Sequence, residues 1–282
     1  MKKNDLQDRT ILITGANTGI GLAAARQVAR RGAHVVLACR SEAKTQPVID
    51  AIRRDTGNQA VEFLALDLAD LGSVRASAQR FLAGGSPLHG LINNAGVAGQ
   101  RGITRDGFEL AFGVNHLGHF LFTQLILERL RGSAPARIVA VSSRAHFQTK
   151  RIDFEALRER TPSFTGLPEY AVSKLCNVLF TQELARRLEG TGVTTYALHP
   201  GVIASDIWRR IPSPLREIYM RLAFMKSTED GARPLVFCAT APEVASASGR
   251  YYDGCNERPA SRYAAPELAR QLWEQSEAWT TG

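Results

Sequence analysis

Short apolar runs alternate along the chain with longer segments in which apolar residues recur at helical spacing. Near-continuous hydrophobicity in a short run is typical of a strand that is buried on both faces of a parallel sheet. The runs predict six strands, at Thr10–Ile13, Val35–Ala38, Val61–Leu66, Leu88–Ile92, Ile138–Val141 and Val193–Leu198. The helical pattern covers residues 20–31, 42–56, 70–83, 106–131 and 168–190. This alternation predicts one α/β domain over residues 1–282, a doubly wound parallel sheet flanked by helices.

Two segments break the alternation, and both follow the carboxyl end of a predicted strand. Residues 144–167 show no clean period, and residues 202–227 are rich in large apolar side chains such as Trp208 and Phe224. Ligands bind at this edge of an open α/β sheet. We therefore expect the second segment to be an apolar lid over a substrate after the sixth strand. An ordinary surface helix or a membrane-dipping helix would show the same composition, and both stay open.

Composition and charge exclude several classes of protein. With 44% apolar and 22% charged residues, the chain is typical of a globular protein. A net charge of +8 raises nucleic acid as a partner, but the basic residues stand in scattered pairs such as Arg30–Arg31, so no nucleic-acid partner is expected. The four cysteines show no CxxC spacing, Met1 leads almost directly into a strand, and the apolar run Phe120–Leu127 is shorter than the ~20 residues of a membrane span. We expect a cytoplasmic protein without a transmembrane anchor.

A glycine-rich turn joins the first predicted strand to the first predicted helix. It contains Gly15, Asn17, Thr18, Gly19, Ile20 and Gly21 in a G-x-x-x-G-x-G pattern. Glycines let a backbone turn tightly and approach a pyrophosphate, whose charge is favoured at a helix N-terminus. No Lys-Ser/Thr pair follows the last glycine, so the turn is not a mononucleotide P-loop. The turn predicts a dinucleotide cofactor, with helix–strand packing as the alternative use of the glycines.

The end of the second predicted strand bears on which dinucleotide binds. An acidic residue at this place holds the ribose 2′-hydroxyl of NAD. Here Arg40 and Ser41 follow the strand, and a guanidinium suits a 2′-phosphate that it can bind in bidentate fashion. NADP(H) is therefore favoured. NAD(H) stays an alternative, and so does an Arg40 that only faces water.

Further motifs follow in order along the chain. They are Asn93-Asn94-Ala95-Gly96, Asn115, Ser142-Ser143, Tyr170-Ala171-Val172-Ser173-Lys174 and His199-Pro200-Gly201. Together with the glycine turn, this set resembles the short-chain dehydrogenase/reductase family over essentially the whole chain. Strings such as Leu37-Ala38-Cys39-Arg40 and Asn115-His116-Leu117-Gly118-His119 are similar to its retinol-dehydrogenase-like branch. The resemblance implies a Rossmann-type fold, a nicotinamide cofactor and an oxidoreductase.

Tyr170 and Lys174 are four residues apart, which places both on one face of a helix. A phenol with its ordinary pKa near 10 is a poor base at neutral pH, and a pKa of about 7 requires roughly 4 kcal/mol of preferential phenolate stabilisation. An ammonium ~5 Å away supplies on the order of 3 kcal/mol at an effective dielectric of about 20, and a bound oxidised nicotinamide, which is also cationic, is expected to contribute the rest. The spacing therefore predicts that Lys174 lowers the pKa of Tyr170, and that Tyr170 exchanges a proton with a substrate oxygen.

The resemblance assigns two more catalytic residues. It implies that Ser143, rather than Ser142, hydrogen-bonds the substrate oxygen as charge develops there. It also implies that Asn115 helps to hold a water that relays protons through Lys174. Because an amide is a poor helix former, Asn115 also fits a polar residue that is satisfied at a helix kink.

The resemblance also extends the cofactor site. It implies contacts from Asp67, Leu68, Asn94, Ala95, Gly96, Tyr170, Lys174, Pro200, Gly201, Val202 and Ser205. Asp67 equally fits a turn or helix-cap acid. His119 and His199 have no Cys, His or acidic partner at metal-ligand spacing, so no metal site is predicted and both are interpreted as hydrogen-bonded structural residues.

These observations predict an NADP(H)-preferring oxidoreductase that interconverts a lipophilic, retinoid- or steroid-like carbonyl and its alcohol by hydride transfer. Tyr170 is the expected proton donor or acceptor. A non-catalytic NADP(H)-binding sensor of the same fold stays an alternative, as does a relative that performs epimerisation or dehydration. The helices at 106–131 and 168–190 have apolar faces through which relatives often pair, which leaves a homodimer or homotetramer open without fixing the oligomeric state.

Overall fold

The central sheet defines the architecture. A computed structural model of the protein describes residues 4–201 and 227–281. Within these ranges eight strands form one sheet in the order β3-β2-β1-β4-β5-β6-β7-β8. The strands are β1 (Thr10–Thr14), β2 (His34–Cys39), β3 (Val61–Ala65), β4 (Gly90–Asn93), β5 (Ala136–Val141), β6 (Val193–His199), β7 (Arg250–Asp253) and β8 (Asn256–Arg258). All neighbouring pairs are parallel except β7 and β8.

Helices cover both faces of this sheet. In the described ranges they are α1 (Gly19–Ala29), α2 (Glu42–Thr56), α3 (Leu71–Ala83), α4 (Leu110–Gly132), α5 (Leu167–Arg187), α6 (Thr228–Thr240) and α7 (Pro266–Thr280). Side chains of Ser41, Asp70 and Ser227 accept backbone N–H bonds at the starts of α2, α3 and α6. Such N-caps fix where a helix begins. Helix α4 contains a π-helical turn at Gly113–Leu117.

The predicted α/β sheet, wound in both directions from β1 and β4, is confirmed, with two differences. Helix α4 begins at Leu110 rather than at 106, because the Glu109 carboxylate caps it by accepting the N–H of Phe112. Elements α6, β7, β8 and α7 follow the six predicted strands, and β8 makes the sheet mixed rather than wholly parallel. The predicted lid at 202–227 lies outside the described residues, apart from Ser227.

Two hydrophobic cores lie on opposite faces of the sheet. Helices α1, α2 and α6 pack on one face through residues such as Val28, Ile52 and Leu235. Helices α3, α4, α5 and α7 pack on the other through residues such as Phe120 and Leu179. Helix α4 is long and apolar enough to cross a membrane, but most of it is buried in this second core. Packing inside the protein therefore accounts for its composition.

The C-terminal helix α7 covers the apolar faces of α4 and α5. The Trp273 ring stacks on Phe180, with centroids 5.9 Å apart, and meets Phe120 edge-on at 5.0 Å. The Arg187 guanidinium lies 4.2 Å from the centre of the same indole. The faces that suggested pairing between copies are thus buried within one chain.

We predict that Trp273→Ala lowers the free energy of unfolding by about 3–5 kcal/mol, because it removes a fully packed aromatic side chain. Urea unfolding monitored by circular dichroism measures this change. Glu274→Ala, at an exposed position of the same helix, is the matched control and is expected to change stability by less than about 0.5 kcal/mol. Equal effects of the two substitutions would show that α7 does not stabilise the fold through Trp273.

Candidate active site at the carboxyl edge of the sheet

The glycine turn between β1 and α1 is shaped to receive a phosphate. The Gly15 N–H donates to the Ala38 carbonyl of β2 at 2.8 Å. A Cβ at Gly21 would lie 2.5 Å from Nδ2 of Asn94, so any side chain there would push α1 away from the loop after β4. At Gly19 φ is +59°, and no described atom lies within 4 Å of the place where a Cβ would stand. The residues therefore fit the pyrophosphate of a dinucleotide, with open space beside the positive end of α1.

The remaining residues of this turn lie where they were predicted. Asn17 and Thr18 belong to the turn itself, and Ile20 is in the first turn of α1.

Arg40 and Ser41 lie beside the glycine turn at the end of β2. Because Gly15 binds the carbonyl of Ala38, Arg40 is only two residues along the chain from this contact. The Arg40 side chain is exposed, whereas the Ser41 hydroxyl accepts the N–H of Lys44 at 3.4 Å as the cap of α2. A guanidinium is therefore available to a ligand at this edge.

Asp67 and Leu68 follow β3 at the same edge. One carboxylate oxygen of Asp67 accepts the N–H of Ala69 at 3.0 Å, which is the geometry of a turn acid. The Leu68 side chain is buried in the second core, so only its backbone is available to a ligand. This turn contact uses one carboxylate oxygen, and the cofactor contact of Asp67 stays a prediction.

Thr14 joins the glycine turn to the loop after β4. Its hydroxyl oxygen accepts the N–H groups of Asn94 and Ala95, both at 2.9 Å. The Asn94 side chain returns the contact by donating to the Thr14 carbonyl at 2.8 Å. Sequence reasoning missed this role of Thr14, although its place directly before Gly15 was a signal.

Two neighbouring serines at the end of β5 have different roles. The Ser142 hydroxyl is buried and donates to the backbone carbonyl of Lys174 at 2.7 Å, so it fastens β5 to α5. Ser143 is the next residue, and its side chain lies close enough to the Tyr170 phenol to lower the pKa of that phenol. The geometry therefore brings Ser143, not Ser142, beside Tyr170.

Lys174 is a buried lysine beneath Tyr170. Its ammonium donates to the Val141 carbonyl at 2.8 Å and lies 5.4 Å from the centre of the Tyr170 ring. A Cβ at Gly96 would stand 3.7 Å from this ammonium and 3.0 Å from Oδ1 of Asn115, so the absence of a side chain lets the loop lie close over both groups. Because burial penalises the charged form, the pKa of Lys174 is lowered to about 7.

The pKa of Tyr170 shifts in the direction opposite to the predicted one. Burial raises it above the ordinary value, and the hydrogen bond with Ser143 opposes this rise only in part. The prediction treated the ammonium as a full charge near a solvated phenol. In the structure both groups are desolvated, so Lys174 is not fully charged at neutral pH and the phenolate loses its hydration.

The Asn115 side chain locks the site together from the π-helical turn. Its Oδ1 accepts the Val97 N–H at 2.8 Å, and its Nδ2 donates to the Val97 carbonyl and to the Ser173 hydroxyl, both at 2.9 Å. Ser173 in turn donates to the backbone carbonyl of Tyr170 at 2.7 Å. The amide is thus satisfied at a helix irregularity, which leaves the backbone of Asn115 as the group for any relay. Sequence reasoning missed Ser173, despite its place directly before Lys174.

The end of β6 completes the edge. This strand ends at His199, and Pro200 and Gly201 follow, with φ of +105° at Gly201. Val202 and Ser205 lie outside the described residues.

Over residues 4–201 and 227–281, no three His, Cys, Asp or Glu side chains could jointly hold a metal ion. The same ranges contain all four cysteines, and no two of them form a disulfide.

The fold and this edge place the protein in a class, the α/β oxidoreductases that bind a nicotinamide dinucleotide where the strand order reverses. Comparison with known proteins gives the family. The profile of the short chain dehydrogenases matches residues 9–156. The chain is 49% identical over 272 residues to retinol dehydrogenase 12 of Mus musculus, covering 95% of this chain and 85% of that protein.

Solved structures agree with this relationship. An uncharacterised protein from Mycobacterium paratuberculosis has a TM-score of 0.78 at 35% identity, covering 99% of this chain and 96% of that one. A short chain dehydrogenase from Burkholderia cenocepacia in complex with NADP has a TM-score of 0.70 at 27% identity, covering 89% of this chain and 97% of that one. The chain belongs to the short-chain dehydrogenase family, in its retinol-dehydrogenase-like branch, and is an NAD(P)-dependent oxidoreductase.

We predict that Lys174→Met makes the protein more stable below pH 7 and that this gain shrinks as the pH rises. The folded state binds the Lys174 proton with a pKa of about 7 and the unfolded state with one near 10.4, so charged Lys174 destabilises the wild type fully below pH 7 and the stability of the wild type rises with pH between these two values. The difference between variant and wild type should fall by on the order of 1 kcal/mol per pH unit between about pH 7 and 10.

Urea unfolding of both proteins at several pH values measures this slope. The substitution also removes the bond to Val141, but that loss does not depend on pH, so the slope isolates the charge. A pH-independent difference would mean that Lys174 keeps its ordinary pKa in the folded protein.

Proposed function

We propose that the protein is an NADP(H)-preferring enzyme that interconverts a lipophilic aldehyde or ketone and its alcohol. The position of its exposed apolar side chains carries the proposal. Among the described residues the large hydrophobic side chains that are exposed all follow β4 or β5, and we call them the apolar rim: Ile103, Phe147, Phe164 and Leu167. Exposed hydrophobic side chains gathered at a ligand-binding edge are typical of a site for an apolar ligand.

The two segments that carry the apolar rim contact each other, and one of them leads into the helix that bears Tyr170. The Gly102 N–H donates to the Thr161 hydroxyl at 3.0 Å. A Cβ at Gly99 would lie 3.9 Å from a methyl carbon of Leu167, which opens the helix that bears Tyr170. An apolar substrate held at this rim would therefore lie next to the proton donor. Similarity to retinol dehydrogenase 12 makes a retinoid the first substrate to test.

The protein's own groups suit reduction of a carbonyl. When bound, the reduced nicotinamide supplies a hydride. The Ser143 hydroxyl acts directly on the Tyr170 phenol, so we infer that both hydroxyls can donate to one carbonyl oxygen. A raised pKa keeps Tyr170 protonated at neutral pH, which makes it a proton donor rather than a base. These groups favour the reductive direction, in which the oxygen gains a proton.

Arg40 supports a preference for NADP(H). Its exposed guanidinium stands at the end of β2, beside the glycine turn, where the ribose 2′ position of a dinucleotide lies in this type of fold. The Arg40 guanidinium can bind a 2′-phosphate in bidentate fashion, whereas the uncharged hydroxyl of Ser41 cannot.

We predict NADPH consumption with carbonyl substrates and a kcat/KM that rises with their apolar length. A series of straight-chain aldehydes and retinal, followed by NADPH absorbance, tests this. Each methylene buried at the apolar rim should raise kcat/KM at least about twofold.

Tyr170→Phe should lose at least ~100-fold in kcat while its affinity for NADPH stays within about twofold, with Tyr263→Phe as the matched control.

Two results would contradict the proposal. Equal kcat/KM values for short and long aldehydes would contradict the proposed preference for a lipophilic substrate. Binding of NADPH without its consumption by any carbonyl would favour the non-catalytic sensor.

We predict that Arg40→Asp raises the KM for NADPH at least about tenfold and leaves the KM for NADH little changed, because the new carboxylate repels a 2′-phosphate and can accept from a 2′-hydroxyl. Steady-state kinetics with each cofactor and one aldehyde measures the ratio. Arg54→Asp makes the same charge change at another exposed position and controls for net charge. An unchanged cofactor ratio in Arg40→Asp would refute the phosphate contact.

A further inference from the structure

His119 is a buried histidine that the chemistry above does not use. It lies on α4, two residues after the π-helical turn, and its side chain is only 3% exposed. The ring bridges two parts of the site. Nδ1 is 3.0 Å from the backbone carbonyl oxygen of Asn115, and Nε2 is 2.8 Å from the hydroxyl of Thr14.

The partners of His119 fix which ring nitrogen carries the proton. A carbonyl oxygen only accepts, so Nδ1 must donate to Asn115. The Thr14 oxygen already accepts the N–H groups of Asn94 and Ala95, so its own hydrogen is left to donate. Nε2 lies 2.8 Å from this hydroxyl, whereas the other acceptor in reach, the Ile92 carbonyl, lies 3.5 Å away, so the hydrogen points at Nε2. A second proton on the ring would point at a hydroxyl that has no acceptor capacity to spare. The ring is therefore neutral, in the Nδ1–H form.

The electrostatics of the surroundings agree with this assignment. Burial, together with the charge of Lys174, lowers the pKa of His119 to about 4, and only the bond to the Asn115 carbonyl opposes this. The neighbouring His116 is kept neutral as well, because burial and the proximity of His119 lower its pKa to about 3. His119 thus serves as a fixed dipole and not as an acid or base near neutral pH.

We propose that His119 is a positioning residue for the oxidoreductase reaction: it holds the Asn115 carbonyl in place and, through Thr14, ties it to the loop that binds the cofactor. The Asn115 side chain is fully used by Val97 and Ser173, whereas its backbone carbonyl is the acceptor that His119 contacts. The Thr14 end of the bridge holds Asn94 and Ala95. One ring thereby fixes the distance between the cofactor side and the acid–base side of the site.

The inference rests on the oxidoreductase activity but not on which carbonyl is reduced, and its first test needs no turnover. Imidazole ¹⁵N NMR of the histidine-labelled protein reports the tautomer directly, with the His119 signals assigned by their loss in His119→Asn. We expect the Nδ1–H form, unchanged between about pH 5.5 and 8. An Nε2–H form, or titration near the ordinary histidine pKa of ~6.5, would overturn the proposal.

Kinetics of matched variants form the second test. His119→Phe keeps the ring volume and removes both contacts, and we expect kcat to fall about 10–100-fold, with NADPH affinity within about threefold. The pKa of the kcat profile should also rise, because an Asn115 carbonyl without its donor stabilises positive charge nearby. His119→Asn retains an amide N–H at the place of Nδ1 and should restore the wild-type profile and most of kcat.

Two kinetic outcomes would refute the positioning role. One is wild-type kcat and pH profile in His119→Phe. The other is a loss of activity that matches the loss of folded protein, with an unchanged pH profile and no recovery in His119→Asn. If His119→Phe does not fold, His119→Gln is used in its place. The glutamine amide reaches the place of Nε2 and not that of Nδ1, so this variant lacks the donor to the Asn115 carbonyl that His119→Asn keeps. Equal profiles for His119→Gln and His119→Asn would then overturn the proposal.

Discussion

The buried ammonium of Lys174 is the constraint on which the active-site half of the fold depends. Removing a charge from water is costly unless polar groups replace the lost hydration. Here the Val141 carbonyl accepts from the ammonium at 2.8 Å and from the Asn177 amide at 3.1 Å, while Ser142 donates to the Lys174 backbone at 2.7 Å. These three bonds join the end of β5 to α5. The contact that makes the lysine tolerable is therefore also the contact that places Ser143 against Tyr170.

The same burial decides the acid–base character of the site. An exposed lysine stays charged at neutral pH, whereas Lys174, with a pKa of about 7, can gain or lose a proton there. Tyr170 moves the other way and stays protonated. Desolvation thus leaves a neutral phenol above a lysine that titrates near neutrality, and the proposed proton transfer to a carbonyl oxygen depends on these protonation states. Any positive charge brought by an oxidised cofactor would lower both pKa values, because it favours the phenolate and disfavours the ammonium.

Local sequence signals predicted one part of this arrangement and missed another. The glycine turn and the Tyr170–Lys174 spacing were visible because each depends on a few adjacent residues on one element. Strand β7 was not, because the short run Arg250–Asp253 is stabilised by pairing with the distant strand β6. The direction of the pKa shift of Tyr170 was also missed, since it depends on how deeply Tyr170 and Lys174 are buried. Hydrophobic periodicity in the sequence cannot show whether the Asn115 amide is hydrogen-bonded by Val97 and Ser173 or by water.

The π-helical turn explains why distant parts of the chain act on the same site. Such a turn widens the helix and is frequent at functional sites. Adjacent residues in it face different partners: Asn115 binds the loop after β4, whereas Nε2 of His116 lies 3.1 Å from the Ser276 hydroxyl of α7. Trp279 of α7 packs edge-on against Phe112, directly before the turn, with ring centres 5.8 Å apart. Helix α7 therefore supports the turn from behind while Asn115 holds the site in front. Burying the α4–α5 face within the chain does more than hide apolar surface, because it fixes the backbone from which Asn115 binds Val97 and Ser173.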